Sequence, residues 1–120
     1  MSDILSINVP LTEETRNMIG ASEIAKMKRG AVLINTARGE VVDENALADA
    51  IRNGHLRGAA VDVFKNEPPS VDYPLFGLDN VILTPHSSAI SPDIMKRAAF
   101  YTMENLNRVY EGKEPLRLVN

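Results

Sequence analysis

The sequence lacks several features on which common kinds of functional site depend. It contains no cysteine, which excludes disulfides and thiolate metal sites, and its two histidines are too few for a metal centre built from several imidazoles. The formal net charge of −3 provides no basic patch of the kind that nucleic-acid binding requires. No apolar run approaches the roughly 20 residues of a membrane span, and the start of the chain carries no basic-then-apolar signal segment. We therefore expect a soluble, cytoplasmic protein with no nucleic-acid or membrane partner.

The spacing of the glycines excludes one kind of phosphate-binding loop. No glycine is followed by another two residues later, so the G-x-G-x-x-G pattern of dinucleotide-binding folds is missing. If the chain forms a dinucleotide-binding sheet, the half that cradles the phosphates is absent from it.

Short apolar runs alternate with helix signals along the 120 residues, of which 44% are hydrophobic and 24% charged. This composition is typical of one small globular domain. The apolar runs predict strands at residues 4–9, from residue 31, at 58–64 and at 81–83. Capping residues predict helices from Ser22 to about Lys28, from Asp43 to Gly54, and from Ser91-Pro92-Asp93 to about Glu111. The alternation predicts an α/β fold with about four parallel strands, crossover helices and a long C-terminal helix. We expect one face of that last helix to be lined by Met95, Ala98, Thr102, Leu106, Val109 and Tyr110.

Arg38 follows a buried strand whose end carries only small residues, including Thr36 and Ala37. In open α/β sheets, ligands bind beyond the carboxyl ends of the strands, where a guanidinium can clamp an anion. The alternative is an arginine that caps a turn or pairs with Asp43 or Glu44. Gly39 is expected to let the chain turn away.

His86, held by Pro85 at the end of a strand, is the best candidate for a general acid and base. A carboxylate such as Glu67 would orient its ring, and the alternatives are an exposed loop histidine and a solvated glutamate. Asp62 lies in an apolar strand and needs hydrogen-bond donors if it is buried. His55 is expected to contact the C-terminal carbonyls of the helix that precedes it.

Five segments in order closely resemble the D-isomer-specific 2-hydroxyacid dehydrogenases. They are NVPLTEET (8–15), MKRGA (27–31), NTARG (35–39), GAAVDVF (58–64) with EP (67–68), and NVILTPH (80–86). The resemblance extends over essentially the whole chain but over only part of the family's length. It implies half of a doubly wound, Rossmann-like sheet, namely a single partial nucleotide-binding domain over residues 1–120, without the glycine-rich first half or the substrate domain.

The resemblance also implies a role for each matching residue. Arg38 would clamp the carboxylate of a 2-oxo acid, His86 would exchange a proton with the carbonyl oxygen, and Glu67 would hold that histidine. Asp62 would accept a hydrogen bond from the nicotinamide carboxamide. The implied cofactor-binding set is Val9, Pro10 and Thr15 on the adenosine and pyrophosphate side, Thr36 and Ala37 at the nicotinamide ribose and ring, and Arg38, Asp62, His86 and Ser88. Ser88 occupies a position where the family usually has glycine.

The implied function is an oxidoreductase that interconverts 2-oxo acids and D-2-hydroxy acids with NAD, and NADP is not excluded. The chain alone is expected to be almost inactive and to bind no cofactor tightly, since half of the site's walls are missing. The alternative is a non-catalytic module that associates with itself as a homodimer through an uncovered sheet edge. The family's corepressor branch, which binds peptides, is a further alternative.

Overall fold

The computed structural model describes residues 2–118 and divides into two compact units. The first unit ends at Ser88 and the second begins at Ala89. Each is described by itself.

The first unit contains the predicted parallel sheet. Its strands are β1 (Ile4–Ile7), β2 (Val32–Asn35), β3 (Gly58–Val61) and β4 (Val81–Leu83), in the order β1-β2-β3-β4. All three pairs are parallel, which confirms the predicted fold class. β1 and β3 end at Ile7 and Val61, so the strands predicted at 4–9 and 58–64 were too long.

Two helices connect the first three strands. They are α1 (Ala21–Ala25) and α2 (Glu44–Arg52). The predicted cap of α2 is confirmed, because the Asp43 carboxylate accepts hydrogen bonds from the N–H groups of Asn45 and Ala46. Between β3 and β4 the chain is irregular and proline-rich.

The start predicted for α1 was wrong. The N-cap is Gly20 rather than Ser22, and the helix ends at Ala25 rather than Lys28. Ile19 pairs with Val42 in an isolated parallel bridge, so the chain stays extended as far as Gly20. Glu23 completes this start by accepting a hydrogen bond from the Gly20 N–H at 3.3 Å. A long-range backbone contact therefore sets the helix boundary.

The core of the first unit lies between α1, α2 and one face of the sheet. Its fully buried members include Ile24, Leu33, Leu47, Leu56 and Leu75. The opposite sheet face is apolar but more open, with Ile4 57% exposed and Ile82 67% exposed. The helices of this unit therefore cover one side of the sheet.

The second unit is α3 (Pro92–Tyr110) with the segment that follows it. Its predicted start is confirmed, since the Ser91 hydroxyl accepts a hydrogen bond from the Ile94 N–H and Pro92 is the first helical residue. The following segment returns to the helix, where the Asn105 side chain accepts from the Leu116 N–H at 2.7 Å. The predicted apolar stripe exists in the sequence, but it is exposed, and the half-buried face carries Tyr101, Asn105 and Arg108 instead. Within residues 2–118, no helix is long and apolar enough to cross a bilayer.

Candidate functional site

The register of the sheet brings four strand ends to one line. Ile7, Asn35, Val61 and Leu83, the last residues of the four strands, lie side by side. Neighbouring strands are about 4.8 Å apart, so the ends of β2 and β4 are separated by roughly 10 Å. Arg38 and His86 each lie three residues beyond one of these ends. The sequence prediction that the loops carrying them share one edge of the sheet therefore agrees with the topology.

His86 and Glu67 form a direct pair. The His86 Nδ1 atom lies 2.9 Å from Glu67 Oε2 and 3.1 Å from Oε1, and both side chains are about half exposed. Because a carboxylate only accepts hydrogen bonds, Nδ1 is the protonated nitrogen of the neutral ring. The lone pair of the neutral imidazole is then on Nε2. The ring has the tautomer that a general base acting through Nε2 requires.

Glu67 is held in place from a second direction. Its Oε1 atom also accepts a hydrogen bond from the Phe64 N–H at 3.1 Å. The hydrogen bonds from His86 and Phe64 hold the pKa of Glu67 below its ordinary value. Glu67 is therefore an anionic acceptor at neutral pH.

The backbone of His86 lies in the left-handed region, with φ at 51°. Residues other than glycine adopt this conformation uncommonly, although asparagine, aspartate and histidine are enriched in it, and its cost is on the order of 1–3 kcal/mol. Two carbonyl groups stabilise it, because the His86 N–H donates to the carbonyls of Asp62 at 2.8 Å and Thr84 at 3.0 Å. Such strain is found most often at functional positions.

Asp62 ties down the loop that carries His86. Its side chain is 2% exposed, and its oxygens accept hydrogen bonds from the Thr84 hydroxyl, the Ser87 N–H at 2.8 Å and the Ser88 N–H at 3.0 Å. Burial by itself raises the pKa of Asp62, but the hydrogen bonds from Ser88, Thr84 and Ser87 outweigh it and hold the pKa well below its usual range. The carboxylate stays ionised although it is buried.

Acid should destabilise the first unit through these two carboxylates. Both Asp62 and Glu67 bind protons more weakly in the folded chain than at their ordinary pKa values of 3.8 and 4.5, so the unfolded chain takes up protons first as the pH falls. Their stabilising contribution is complete above about pH 5 and is lost below it. Urea unfolding between pH 3 and 7 should show a smaller pH slope for Asp62→Asn than for the unchanged chain. An identical slope would contradict this account of Asp62.

The loop that carries Arg38 is ordered by a second buried polar residue. Asn35 is 2% exposed, donates through Nδ2 to the Arg38 carbonyl at 3.0 Å and accepts from the Ala37 N–H at 3.1 Å. The Arg38 side chain is exposed, and its Nη1 donates to the Ala37 carbonyl at 2.6 Å. The backbone direction at Arg38 is therefore fixed from within the loop.

Of the alternative roles expected for Arg38, pairing with Asp43 or Glu44 does not occur among the described residues, whereas a bond within its own loop does, from Nη1 to the Ala37 carbonyl. Asp43 caps α2, and Glu44 accepts hydrogen bonds from the Lys65 N–H and the Tyr73 hydroxyl. No carboxylate of residues 2–118 lies within 4 Å of the Arg38 guanidinium. Apart from the Nη1 bond to the Ala37 carbonyl, the exposed guanidinium has no partner among the described residues, so its other N–H groups are available to an anion.

Glycine is required at position 39 because the backbone of Phe64 and Lys65 passes very close to it, rather than because the chain turns there. A Cβ atom at this position would lie 2.1 Å from the Phe64 carbonyl carbon and 2.3 Å from the Lys65 nitrogen. The expectation that Gly39 lets the chain turn away was therefore incomplete. The absence of a side chain lets the Arg38 loop pack directly against the backbone that follows β3.

Seven of the ten predicted site residues line two clefts. One, of about 500 Å³, is lined by residues 8–11 and 36–38, and so contains Val9, Pro10, Thr36, Ala37 and Arg38. The other, of about 390 Å³, contains Glu67 and His86 with apolar walls from Phe64, Pro68, Pro69, Leu83 and Pro85.

The other three predicted site residues, Thr15, Asp62 and Ser88, bond to other groups of the protein and line neither of these clefts. The Thr15 hydroxyl donates to the Pro10 carbonyl at 2.7 Å, and Ser88 contacts Asp62. Their predicted cofactor contacts, like that of Asp62 with a carboxamide, stay predictions. His55 contacts the carbonyl of Ile24 through Nε2 at 3.0 Å, so it meets α1 rather than the helix before it.

The structural roles of Thr84 and Asn35 are not among the predictions from the sequence. Thr84 appears there only within the segment NVILTPH, and Asn35 only within NTARG. The available signal was the same for Asn35 as for Asp62: a polar side chain at the end of an apolar strand, which burial forces to find partners.

Comparison with known proteins identifies the relatives of this site. The family model described as "D-isomer specific 2-hydroxyacid dehydrogenase, NAD binding domain" matches residues 1–88. The chain belongs to this family.

Two named relatives illustrate how far the similarity extends. Over 119 residues the chain is 47% identical to the glyoxylate reductase of Aeropyrum pernix. This alignment covers 99% of this chain and 36% of that protein. It is 44% identical to the D-3-phosphoglycerate dehydrogenase of Methanocaldococcus jannaschii, of which it covers 22%. The chain therefore spans about a third or less of the length of these relatives.

Solved structures of 2-hydroxyacid dehydrogenases share the fold. The D-lactate dehydrogenase with NAD⁺ from Lactobacillus jensenii matches 99% of this chain with a TM-score of 0.92 and 31% identity, over 40% of its own length. A D-isomer specific 2-hydroxyacid dehydrogenase from Xanthobacter autotrophicus, in complex with NADPH and MES, matches with a TM-score of 0.83 and 44% identity, over 48% of its length. These matches confirm the family resemblance on which the sequence predictions rested.

Proposed function

We propose that this chain supplies the acid–base and substrate-binding residues of an NAD(P)-dependent oxidoreductase that interconverts 2-oxo acids and D-2-hydroxy acids. The observation that carries the proposal is the His86–Glu67 pair, which lies on the same sheet edge as the unpaired Arg38. In this proposal residues 1–88 form the second half of a nucleotide-binding domain, and the C-terminal helix follows it. The cytoplasmic location also stays a prediction.

His86 is the group that exchanges a proton with substrate. Glu67 binds the Nδ1–H, so Nε2 is the nitrogen available to a ligand. In the reduction His86 donates the Nε2 proton to the carbonyl oxygen, and in the oxidation Nε2 removes it from the hydroxyl. The Glu67 carboxylate stabilises the protonated, positively charged His86 ring. This ring is present before the proton is donated in the reduction and after it is removed in the oxidation.

Arg38 binds the carboxylate of the 2-oxo acid. A guanidinium forms two parallel hydrogen bonds to a carboxylate, which fixes the orientation as well as the position of a small anion. The Asn35 amide holds the Arg38 backbone, and Gly39 places the loop against the chain after β3. Both contacts limit the movement of the clamp.

The residues of the cleft beside Arg38 suit parts of a nicotinamide cofactor. Thr36 and Ala37, the residues expected at the nicotinamide ribose and ring, are small. Val9 and Pro10, expected on the adenosine and pyrophosphate side, line the same cleft, which opens at the carboxyl ends of β1 and β2, where such sheets bind nucleotides. Val9, Pro10, Thr36 and Ala37 would hold the cofactor. When bound, NAD(P) supplies or accepts the hydride. The chain's own contribution is binding, orientation and the proton.

A hybrid protein tests this proposal. In it, residues of this chain replace the 119 matched residues of the Aeropyrum pernix glyoxylate reductase, and NADH oxidation is measured with glyoxylate. Arg38→Gln should raise KM for glyoxylate by about 10- to 100-fold, because hydrogen bonds to charged groups contribute roughly 1.5–3 kcal/mol. Arg38→Lys should recover little, since lysine lacks the planar fork.

Arg16→Gln is the matched control for Arg38. Arg16 is also an exposed arginine of the first unit, but it lies near Glu40 and outside both clefts. It should leave KM unchanged. Equal effects of the two substitutions, or no effect of Arg38→Gln, would overturn the assignment of Arg38 to substrate binding.

A second candidate function is self-association of the 120-residue chain. β1 is an edge strand, and the exposed Ile4 and Ile82 mark an apolar sheet face. Open edges and apolar faces favour pairing with a second copy, which would extend the sheet.

Light scattering tests the second candidate. We expect a homodimer at high concentration, and Ile4→Lys should shift it towards monomer, because a charged side chain on an edge strand opposes pairing. The control Val71→Lys changes a 98% exposed apolar residue outside the sheet and should leave the mass unchanged. A strict monomer at high concentration would exclude this function.

A further inference from the structure

Thr84 stands out among the residues near the site because its hydroxyl has a specific buried partner. Its Oγ1 donates to Oδ1 of Asp62, across 22 positions of sequence. The same Oδ1 accepts from the Ser87 N–H, and Oδ2 accepts from the Ser88 N–H. Thr84 and the two serine residues thus enclose His86 on both sides along the chain.

Asp62 makes hydrogen bonds with the loop of residues 84–88. Its carboxylate binds Thr84, Ser87 and Ser88, while its backbone carbonyl accepts from the His86 N–H. Every loop residue except Pro85 is therefore bonded to Asp62. His86 is held in its left-handed conformation at φ 51° by this set of bonds.

The Thr84 hydroxyl differs from the backbone donors to Asp62. An N–H group is fixed by the loop, whereas a hydroxyl can rotate to follow the carboxylate and fill an acceptor site that would otherwise cost free energy. The Ser88 hydroxyl also helps to lower the pKa of Asp62, so Thr84 shares this role with it. A buried carboxylate with too few donors would favour protonation or rotation. Either change would release the serine amides.

We propose that Thr84 is a positioning residue, which acts through Asp62 to hold His86 in the conformation that presents Nε2 to substrate. The proposal deepens the proposed function and rests on it for the role of His86. The contact that it concerns is a property of the chain itself, and it can be measured without turnover.

The experiment uses the 120-residue chain and NMR. Thr84→Val keeps the shape of the side chain and removes the hydroxyl, whereas Thr84→Ser keeps the hydroxyl. Amide hydrogen exchange is measured at His86, whose N–H donates to the Asp62 carbonyl, and at Ser87 and Ser88, and the Asp62 side-chain carboxyl carbon is followed as the pH is lowered. The core amide of Leu33 reports global stability, and Thr102→Val, an exposed change in α3, is the control.

The expected result is specific to the hydroxyl. In Thr84→Val, exchange at His86, Ser87 and Ser88 should be at least about tenfold faster, because the loss of a hydrogen bond to a charged group loosens the loop that these amides hold. The Asp62 carboxyl should protonate at higher pH, and Leu33 should be unchanged. Thr84→Ser and Thr102→Val should match the unchanged chain.

Three results would overturn the proposal. They are unchanged exchange and titration in Thr84→Val, equal changes in Thr84→Ser, and equal acceleration at Leu33, which would mean general destabilisation. None of these depends on catalysis. If the hybrid protein failed to reduce glyoxylate, the proposed function would be rejected. The NMR experiment would still show whether the Thr84 hydroxyl holds the loop of residues 84–88.

Discussion

Replacing His86 by glutamine is expected to slow glyoxylate reduction by the hybrid protein about 10²- to 10⁴-fold, the usual contribution of a positioned general acid or base. Glutamine keeps a polar side chain of similar reach but cannot hold and release a proton at neutral pH. The loss should be in kcat as well as in kcat/KM, because proton transfer to the carbonyl oxygen occurs in the transition state. Stopped-flow measurement of NADH absorbance in a single turnover isolates this step.

The other histidine provides the control. His55 contacts the Ile24 carbonyl and lies outside both strand-end clefts, so His55→Gln should leave the single-turnover rate unchanged.

Glu67→Gln should also reduce the single-turnover rate. When it is combined with His86→Gln the further loss should be small, because Glu67 acts through the ring that it binds. Additive losses would show that Glu67 has a separate role, and a fully active His86→Gln variant would remove histidine from the mechanism.

Replacing Gly39 by alanine is expected to destabilise the 120-residue chain by at least about 2 kcal/mol, as overpacking against unyielding neighbours does. The added Cβ would meet the Phe64 carbonyl carbon at 2.1 Å and its oxygen at 2.4 Å. These are backbone atoms of the segment that leads to Glu67, so no flexible side chain can move aside. The Arg38 loop must shift instead. Urea unfolding at pH 7 measures the loss.

Gly20→Ala is the matched control for Gly39→Ala. A Cβ at Gly20 would lie 3.6 Å from the nearest atom, Oε2 of Glu23, and the backbone φ of −101° suits any residue. Only the weaker capping tendency of alanine should then reduce stability, by roughly 1 kcal/mol or less. Equal losses at the two positions would contradict the close-approach explanation of Gly39.

Local signals predicted the parts of the fold that depend on neighbours in sequence. Asp43 caps α2, and Ser91 with Pro92 starts α3, because each arrangement needs only residues within one turn. The start of α1 could not be predicted in this way. It depends on the bridge between Ile19 and Val42, and no pattern around Ser22 reports that pairing.

In the site, too, local features could be predicted and long-range contacts could not. Strand ends and residue types pointed to Arg38 and His86, and to Glu67 as a carboxylate that would orient the imidazole, whereas the cofactor-binding residues were implied by the family resemblance. The bonds from Asp62 to Thr84, Ser87 and Ser88 connect residues more than 20 positions apart and had no counterpart in the sequence patterns. The contact of His55 with α1 rather than α2 was missed for the same reason.

The most direct test of the account is the activity of the hybrid protein that carries the unchanged residues of this chain. Its kcat/KM for glyoxylate with NADH is compared with that of the parent Aeropyrum pernix reductase, after circular dichroism and NADH fluorescence have established folding and cofactor binding. We predict NADH oxidation that requires glyoxylate and falls with His86→Gln but not with His55→Gln. A folded hybrid that binds NADH and reduces no 2-oxo acid would contradict the claim that this chain carries the catalytic residues of a D-2-hydroxyacid dehydrogenase.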